Sequence, residues 1–390
     1  MQYGPRAAAM AAYLWHGQFL SRDRAAAALG EMFGCAPSPG AIAAMAAKVA
    51  GIIAPAIDAI VKALIAPDVA HFDETGFRVA GKLAWVHSAS SGKFVLVTVH
   101  ARRGRQGMDA AGVLPSFAGI ACHDAWAPYD GYDGVAGHAL CGAHLLRELT
   151  AVTETGTADD VIWARQAIDA LLELKQAAAA RAAGRDAIDA EVLEKHGRWF
   201  RDAADAGIVL NVARRSKLQR KRHALATRMA ARADDYLRFA YDLRVPAENN
   251  EAEQVIRMSK LRIKVSGCMR SMAGSETFCA IRSYLATATR HGIGWLDALT
   301  RAARGHPLGP RHHVAVAPAR QLRSRAALTA PPVTVAACHH VQRAPSWACS
   351  ITRPAPSDSK NSPKPCGHWN ASGPAGPSMS FPAPYSPNSP

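Results

Sequence analysis

Three acidic residues stand in settings that suit metal-dependent phosphoryl transfer. Asp73 lies in HFDETG, Asp124 in CHDAWAPYDGY and Glu253 in VPAENNEAEQVIRMSK. Mg²⁺ prefers oxygen ligands and usually takes one or two carboxylates, which leaves room for phosphate oxygens of a substrate. Two such ions can activate an attacking oxygen and stabilise the leaving one. The three acids are therefore candidate ligands for a pair of Mg²⁺ or Mn²⁺ ions.

Both aspartates also have an ordinary structural interpretation. An Asp within an apolar strand is costly unless a cation or hydrogen bonds compensate its charge. Asp73 is equally placed to cap a turn before Gly76, a role that needs no metal. Trp126 and Tyr129 follow Asp124 at a spacing that suits either the wall of a nucleic-acid groove or core packing. The residue types alone leave these alternatives open.

Helical phasing selects Glu253 among the acids of the third segment. At about 100° per residue, four side chains fall within about 60° of one helix face: Glu253, Arg257, Lys260 and Lys264. Glu251 points roughly 160° away from Glu253, so the two cannot serve one site. A carboxylate heading a basic stripe suits a metal ligand with DNA phosphate contacts beside it. The alternative is an ordinary Glu253–Arg257 pair worth about 0.2–0.5 kcal/mol.

Five further residues are candidates for supporting roles. Asn249 and Asn250 precede Glu253, where they could cap the helix or orient the ligands. Cys141 and His144 are three residues apart in LCGAHLLRE, and zinc would need two more ligands that the neighbouring sequence does not obviously offer. Buried support of the site is the favoured role for this pair, with Arg147 as a DNA phosphate contact.

The elements that must position these residues follow from the change in periodicity after residue 68. VAHFDE, KLAWVHSA and KFVLVTVH predict three antiparallel strands separated by AGK and SSGK turns. A short helix fits 106–117, GIACHD predicts a buried strand, GHALCGAH a further strand or strand-to-helix junction, and a long helical region begins near 143. This is the order of the ribonuclease H-like fold. It places Asp73 on the first strand beside Asp124 at the end of the fourth.

The first 68 residues are predicted to be helical. One helix follows Ser21, a break falls near Gly34, and a second helix begins with Ser38 as its N-cap and Pro39 in its first turn. The pattern resembles a helix-turn-helix unit. Two packed Ala-rich helices without DNA contact explain it about equally well, because any helical hairpin gives the same pattern.

The remaining folded regions are predicted to be an α-helical insertion over 151–245 and helices over 246–310 that complete the core begun by residues 69–150. The last helix is expected over roughly 275–291, closing at Gly292. The insertion carries a basic stretch from Arg214 to Arg232. We favour a DNA-backbone role over a merely solvated helix face for this stretch. Its candidate DNA contacts are Arg214, Arg215 and Lys217.

Composition narrows the class of protein. The net charge of +15 favours a polyanionic partner, although charge alone does not distinguish DNA from RNA or a membrane. Eight cysteines form no CxxC pair, which argues for reduced thiols in the cytoplasm. Lys48, Pro55 and Asp58 interrupt the Ala-rich stretch at 41–65, and the start lacks a secretory signal, so a soluble protein is expected. Phosphate-loop, dinucleotide and nucleophile-elbow motifs are absent.

The composition shifts again near residue 311. Residues 311–390 are rich in proline and contain a single acid, Asp358. Such a segment cannot bury a core, and we expect a disordered tail.

Ordered blocks of sequence resemble a known family. The blocks are HFDETGFRV, HDAWAPY, HALCGAHLLREL, VPAENNEAEQVIRMSKLRIKVSGCMRS and FCAIRSYLATATRHG. They closely resemble the insertion-sequence 66 family of bacterial DDE transposases, from about Tyr3 to Pro310. This resemblance implies an α/β (α+β) protein with a ribonuclease H-like catalytic core, an all-α insertion and an N-terminal helical region.

The resemblance also implies a function. Asp73, Asp124 and Glu253 would be the DDE triad that binds two Mg²⁺ or Mn²⁺ ions, and CGAH would be the Cys-x-x-His signature of several DDE families. The implied reaction is strand cleavage at insertion-sequence ends followed by strand transfer into target DNA. Implied partners are double-stranded DNA, further copies of the chain and accessory proteins of the same element, in the bacterial cytoplasm at the nucleoid and without a membrane.

Some positions depart from the family pattern. Glu248 stands where the family usually has Asp, and Gln254 where it usually has Arg. The chain begins where the family's middle region begins, and its tail resembles nothing in the family. An N-terminally truncated, inactive remnant that only binds DNA is therefore the alternative function. A generic ribonuclease H-like nuclease is disfavoured by the long helical insertion.

Overall fold

The computed structural model describes residues 3–179 and 187–309. The tail expected over 311–390 lies outside the described residues. The N-terminal region is helical, as expected: α1 (Pro5–Ala12), a π-helical turn (Tyr13–Gly17), α2 (Arg22–Phe33) and α3 (Pro39–Ile65). Ser21 and Ser38 cap α2 and α3 by accepting hydrogen bonds from backbone N–H groups three residues on.

Helix α3 is the longest of this region and lies within its core. Its buried face, which includes Ile42, Val49 and Ile53, packs in one cluster with α1. By length and composition alone α3 would pass as a membrane span, a result that the interrupting residues Lys48 and Asp58 did not lead us to expect. One face of α3 packs into the cluster with α1, and 33% of the apolar segment is buried. DNA contact by α2 and α3 stays a prediction.

A five-stranded mixed sheet forms the centre of the fold. Its strands are β1 (Val69–Val79), β2 (Lys82–Ser91), β3 (Phe94–His100), β4 (Ile120–His123) and β5 (Gly137–Leu140). The order is β3-β2-β1-β4-β5, with β1, β2 and β3 antiparallel and β4 and β5 parallel to β1. Ala80 and Gly81, both at positive φ, form the two-residue turn of the first hairpin.

The register of β1 against β4 aligns the two predicted aspartates. His71 pairs with Cys122 in parallel. Two residues farther along each strand, Asp73 and Asp124 therefore reach the same level of the sheet. The helix expected over 106–117 is divided into α4 (Arg105–Ala110) and a 3₁₀ turn at Leu114–Ser116. Gly112, at φ 75°, separates the two.

Helices follow the sheet to the end of the described chain. They are α5 (Gly142–Thr155), α6 (Ala158–Ala178), α7 (Ala190–Leu210), α8 (Lys217–Ala231), α9 (Ala233–Tyr241), α10 (Asn250–Ser266), α11 (Met272–Arg290) and α12 (Trp295–Ala303). The expectation that the helix ending near Gly292 is the last was wrong, because α12 follows it. Ala298, Leu299 and Ala302 bury α12 against the N-terminal helices.

Helix α11 covers the outer edge of the sheet through two hydroxyl side chains. Ser283 Oγ accepts a hydrogen bond from Val97 N at 2.7 Å, and Thr287 Oγ1 accepts one from Val95 N at 3.1 Å. Both hydroxyls also donate to the carbonyl oxygens of the same β3 residues. The exposed backbone groups of an edge strand are thereby satisfied, which removes a template for pairing with another chain.

Candidate active site

The three predicted acids come from three elements and line one cavity. Asp73 lies on β1, Asp124 directly follows β4, and Glu253 lies in the first turn of α10. The cavity has a volume of about 270 Å³. Its other lining residues are Glu74, Thr75, His144, Arg147, Ile256, Arg257 and Lys260. Four carboxylates thus meet one histidine and three cationic side chains.

Asp73 carries the clearest electrostatic signature of the site. Burial, followed by the negative charge of Glu74, raises the pKa of Asp73 from 3.8 to about 7. Asp124 and Glu253 raise this pKa further, while a hydrogen bond from Glu74 N at 2.8 Å opposes the shift. Among the described residues, neither Asp73 nor Asp124 forms an ion pair. Asp73 and Asp124 therefore meet in the cavity without a cation paired to either of them in the described residues.

Glu253 has closer partners on its own side of the cavity. Its side chain is 14% exposed, with Arg257 at 3.7 Å and Arg147 at 3.9 Å. His144 Nδ1 lies 3.5 Å from Glu253 Oε1, and Cys141 Sγ lies 3.9 Å from the same oxygen. The predicted Cys-x-x-His pair is therefore in direct contact with the predicted catalytic glutamate.

The fold of the CGAH segment depends on a close approach between backbones. Gly142 N donates to Ala247 O at 2.9 Å, and a Cβ at Gly142 would lie at 2.9 Å from that oxygen. A larger residue would push α5 away from the segment that leads into α10. Glycine between Cys141 and His144 therefore helps to bring both residues to Glu253.

Comparison with known proteins identifies the family. A protein family described as Transposase IS66 family matches residues 1–277. The chain belongs to this family. The match includes all three acids and the CGAH segment, and it ends within α11, whereas we expected similarity to about Pro310. No curated protein matches the chain.

Within the candidate site, Glu74 is a residue that the sequence did not lead us to expect. It is buried, pairs with Arg103 at 2.8 Å and accepts a hydrogen bond from the Tyr129 hydroxyl at 2.5 Å. The Arg103 guanidinium lies 3.8 Å from the ring of Trp126. Tyr129 is thus a core residue, and Glu74 joins the segment after Asp124 to β1. An acid adjacent to Asp73 on a buried strand was the available signal.

Asn249 does not cap α10, contrary to one of its two expected roles. No side-chain capping hydrogen bond is present. Its amide instead donates to Phe72 O at 2.7 Å and its Oδ1 lies 2.9 Å from His71 Nδ1. Asn249 N also points at Cys141 Sγ, at 3.3 Å. Asn249 therefore joins the start of α10 to the strand residues that precede Asp73.

Asn250 also makes no capping bond, and it faces away from the cavity. It donates to Glu248, which forms an ion pair with Lys175 of α6. Glu251 pairs with Arg290 of α11 at 3.5 Å and lies 3.7 Å from His71, on the opposite side of the helix from Glu253. Glu248 thus contributes to packing against the insertion.

The predicted DNA-binding residues divide into three groups. Arg147, Arg257 and Lys260 line the cavity, and Lys264 is exposed one turn farther along α10. Arg214, Arg215 and Lys217 are exposed where α7 leads into α8, outside the cavity lining. Other arginines of the basic stretch have structural roles, since Arg222 pairs with Asp160, Arg228 with Glu148, and Arg232 with Asp130. The stretch as a whole is therefore not a free basic face.

His123 fixes the backbone at Asp124. Its Nδ1–H donates to Asp124 O, and its Nε2 lies 2.9 Å from His138 Nδ1. Burial lowers the pKa of His123 to about 3, so the ring is neutral and can accept the second hydrogen bond. His123 also stacks on Tyr129, with ring centroids 4.3 Å apart. The position of Asp124 is thereby held from the protein interior.

Proposed function

We propose that this IS66-family chain is a DDE-type DNA transposase with a ribonuclease H-like catalytic core. Asp73, Asp124 and Glu253 are its catalytic acids. The observation that carries the proposal is their meeting at one cavity from three separate elements, beside Arg147, Arg257 and Lys260. Family membership supports the transposase role. The reaction is strand cleavage at the ends of an insertion sequence, followed by strand transfer into target DNA.

The residues present fit divalent metal ions of the Mg²⁺ or Mn²⁺ type. Three carboxylates supply the oxygen donors that these ions prefer. Burial, followed by the negative charges of Glu74, Asp124 and Glu253, raises the pKa of Asp73, as expected for a carboxylate that shares a cavity with other acids. The triad is not among the sets of three potential ligands that lie within 4.8 Å of one another in the described residues. Such a spread fits two ions better than one.

The metal ions would supply an activated attacking oxygen and stabilisation of the leaving oxygen. The protein's own groups bind and orient the DNA. Arg147, Arg257 and Lys260 neutralise phosphates at the cavity, and Lys264 extends this contact along α10. The exposed Arg214, Arg215 and Lys217 contact the DNA backbone outside the cavity.

Other residues hold the acids in place. Glu74, through Arg103 and Tyr129, braces the segment that carries Asp124. Asn249 positions α10 against β1, which sets where Glu253 meets Asp73. Gln254, where the family usually has Arg, is exposed and outside the cavity lining, so this departure leaves the cavity cations in place.

The proposed partners follow from the reaction. They are double-stranded DNA as element end and as target, further copies of this chain assembled on the DNA, and accessory proteins of the same element. The expected location is the bacterial cytoplasm at the nucleoid.

A cleavage assay tests the proposal. The purified full chain should nick end-labelled duplex DNA carrying the element ends when Mg²⁺ or Mn²⁺ is added. Asp124→Asn should abolish nicking while DNA binding persists in a filter assay. Asp133→Asn, an exposed aspartate in the same segment, is the matched control and should retain activity. Nicking that survives Asp124→Asn would overturn the assignment, and wild-type DNA binding without nicking would favour the inactive remnant.

A further inference from the structure

Cys141, His144 and Glu253 form a second set of potential metal ligands at the edge of the cavity. Their donor atoms all lie within 4.8 Å of one another. Cys141 is the N-cap residue of α5, His144 lies in the first turn of that helix, and Glu253 lies in the first turn of α10. Cys141 and His144 are three residues apart in sequence, and the fold brings Glu253 to them from more than a hundred positions away.

The separations match the edges of a zinc tetrahedron. Zinc lies about 2.3 Å from a thiolate sulfur and about 2.0–2.2 Å from imidazole nitrogen or carboxylate oxygen. Tetrahedral angles then place sulfur and oxygen about 3.6 Å apart, and nitrogen and oxygen about 3.4 Å apart. The observed separations are 3.9 Å from Cys141 Sγ to Glu253 Oε1 and 3.5 Å from His144 Nδ1 to the same oxygen. Shifts of a few tenths of an ångström would complete the geometry.

The hydrogen bonding around the two α5 donor atoms is compatible with metal binding. His144 Nδ1 is buried and has no hydrogen-bond partner in the described part of the chain. Cys141 Sγ accepts hydrogen bonds from the backbone N–H groups of Asn249, His144 and Ala143, which fix the position of the sulfur beside Glu253. Such outer hydrogen bonds orient a ligand and tune its affinity. The site thus offers Cys141 Sγ, which is held by backbone N–H groups, and His144 Nδ1, which has no hydrogen-bond partner in the described residues.

We propose that Cys141, His144 and Glu253 bind Zn²⁺, and that zinc there inhibits DNA cleavage by withdrawing Glu253 from the catalytic acids. Thiolate and imidazole ligands select zinc, whereas Mg²⁺ prefers oxygen. On binding, the Cys141 thiol loses its proton to water, and a water molecule takes the fourth ligand position. The binding site stands on geometry alone, while the inhibition rests on the proposed function.

Cobalt absorbance tests the binding site without any need for catalytic activity. Co²⁺ titrated into the full chain should give a thiolate charge-transfer band at one ion per chain, and Zn²⁺ should bleach it. To remove other thiols, the measurements use a parent with Cys338→Ala, Cys349→Ala and Cys366→Ala. The band should disappear in Cys141→Ser and weaken at least tenfold in apparent affinity in His144→Ala. Cys268→Ser, which removes an exposed thiol, should leave the band unchanged.

Each outcome bears on the site directly. Absence of the band in the parent, or its persistence in Cys141→Ser, would overturn the proposal. Glu253→Gln keeps both α5 ligands and should lower the cobalt affinity at least tenfold, so an unchanged affinity would remove Glu253 from the site. Urea denaturation of each variant shows that a lost band does not reflect unfolding.

The inhibition is measured separately. In the nicking assay with Mg²⁺ in excess, Zn²⁺ should reduce the rate over the same concentration range in which it bleaches the cobalt band. Binding without this parallel loss would overturn the inhibitory role and leave the site standing. A chain that binds Co²⁺ at this site but never nicks DNA would instead count against the proposed function.

Discussion

Two aspartates, the buried Asp160 in the helical insertion and the half-buried Asp73 in the sheet, differ in how far neighbouring groups compensate their charge. Asp160 accepts hydrogen bonds from Asn211 at 2.8 Å and Arg222 at 2.9 Å, and Trp163 Nε1 donates to it at 3.2 Å. Asp73 accepts one hydrogen bond, from the backbone of Glu74. One acid has its charge compensated by protein groups, and the other shares a cavity with further acids.

The pKa values follow this difference. Burial alone would raise the pKa of Asp160, but hydrogen bonds from Asn211, Thr157 and Trp163 lower it below the usual range. Burial and neighbouring acids raise the pKa of Asp73 to about 7. Burial alone therefore does not set the direction of a carboxylate's pKa shift. Hydrogen bonds and neighbouring charges can reverse it. Asp73, which has one hydrogen bond and no ion pair in the described residues, therefore keeps oxygen lone pairs available to a metal ion.

Removing the cation from Asp160 should have the largest effect on stability. The Arg222 and Asp160 side chains are 8% and 5% exposed, so Arg222→Met leaves a buried charge without its partner. The free energy of unfolding should fall by about 3–5 kcal/mol, as measured by urea denaturation at neutral pH. The control is Arg198→Met, which breaks an exposed pair with Glu194 and should cost about 0.3–0.5 kcal/mol. Equal losses in the two variants would contradict the comparison.

Removing the charge of Asp73 should increase stability, in contrast to the loss expected for Arg222→Met. The pKa of Asp73 is about 7 in the folded state and 3.8 without the fold's influence. Its stabilising contribution is therefore fully present below pH 4 and is lost as the pH rises through 7. Asp73→Asn should raise the free energy of unfolding of the metal-free protein at pH 8 by at most about 4 kcal/mol. Denaturation at pH 5 and 8 measures this, and a gain independent of pH would refute it.

The features that could be predicted from sequence are those set by local spacing. Apolar runs and turn signals predicted the first four strands, while the fifth was left open as a strand or a strand-to-helix junction. The order of the strands placed Asp73 beside Asp124. Helical phasing separated Glu253 from Glu251. These inferences use spacings of a few residues, where geometry is fixed by the type of secondary structure.

Contacts between distant positions were not predictable in this way. Glu74 meets Arg103 and Tyr129 from 29 and 55 positions away. Asn249 was expected either to cap a helix or to orient the ligands, and its actual partner on β1, the carbonyl oxygen of Phe72, was not predicted. Local patterns contain no information on which buried polar groups will satisfy one another. The basic stretch illustrates the same limit, since it was favoured as a whole for a DNA role and its member Arg222 forms a buried pair with Asp160.

Loss of one hydrogen bond to Glu74 should have an intermediate effect. Tyr129→Phe removes the hydroxyl that donates to this buried carboxylate, which should cost about 1.5–3 kcal/mol in unfolding free energy. Tyr132→Phe is the matched control, because its hydroxyl donates to the more exposed Asp109 and should cost less. Thermal or urea denaturation compares the two. A larger loss in Tyr132→Phe would show that Glu74 does not depend on its Tyr129 partner.

The exposed cations should affect stability least and DNA binding most. Lys260→Gln at the cavity and Arg215→Gln in the insertion should each change the unfolding free energy by less than about 0.5 kcal/mol. If both residues contact phosphates, each change should reduce the salt dependence of DNA affinity by about one unit of log-log slope. Fluorescence anisotropy across a salt series measures this, with exposed Arg198→Gln as control. If the slope changes for Lys260→Gln but not for Arg215→Gln, the DNA contacts the cavity and not this part of the insertion. The insertion would then have a structural role.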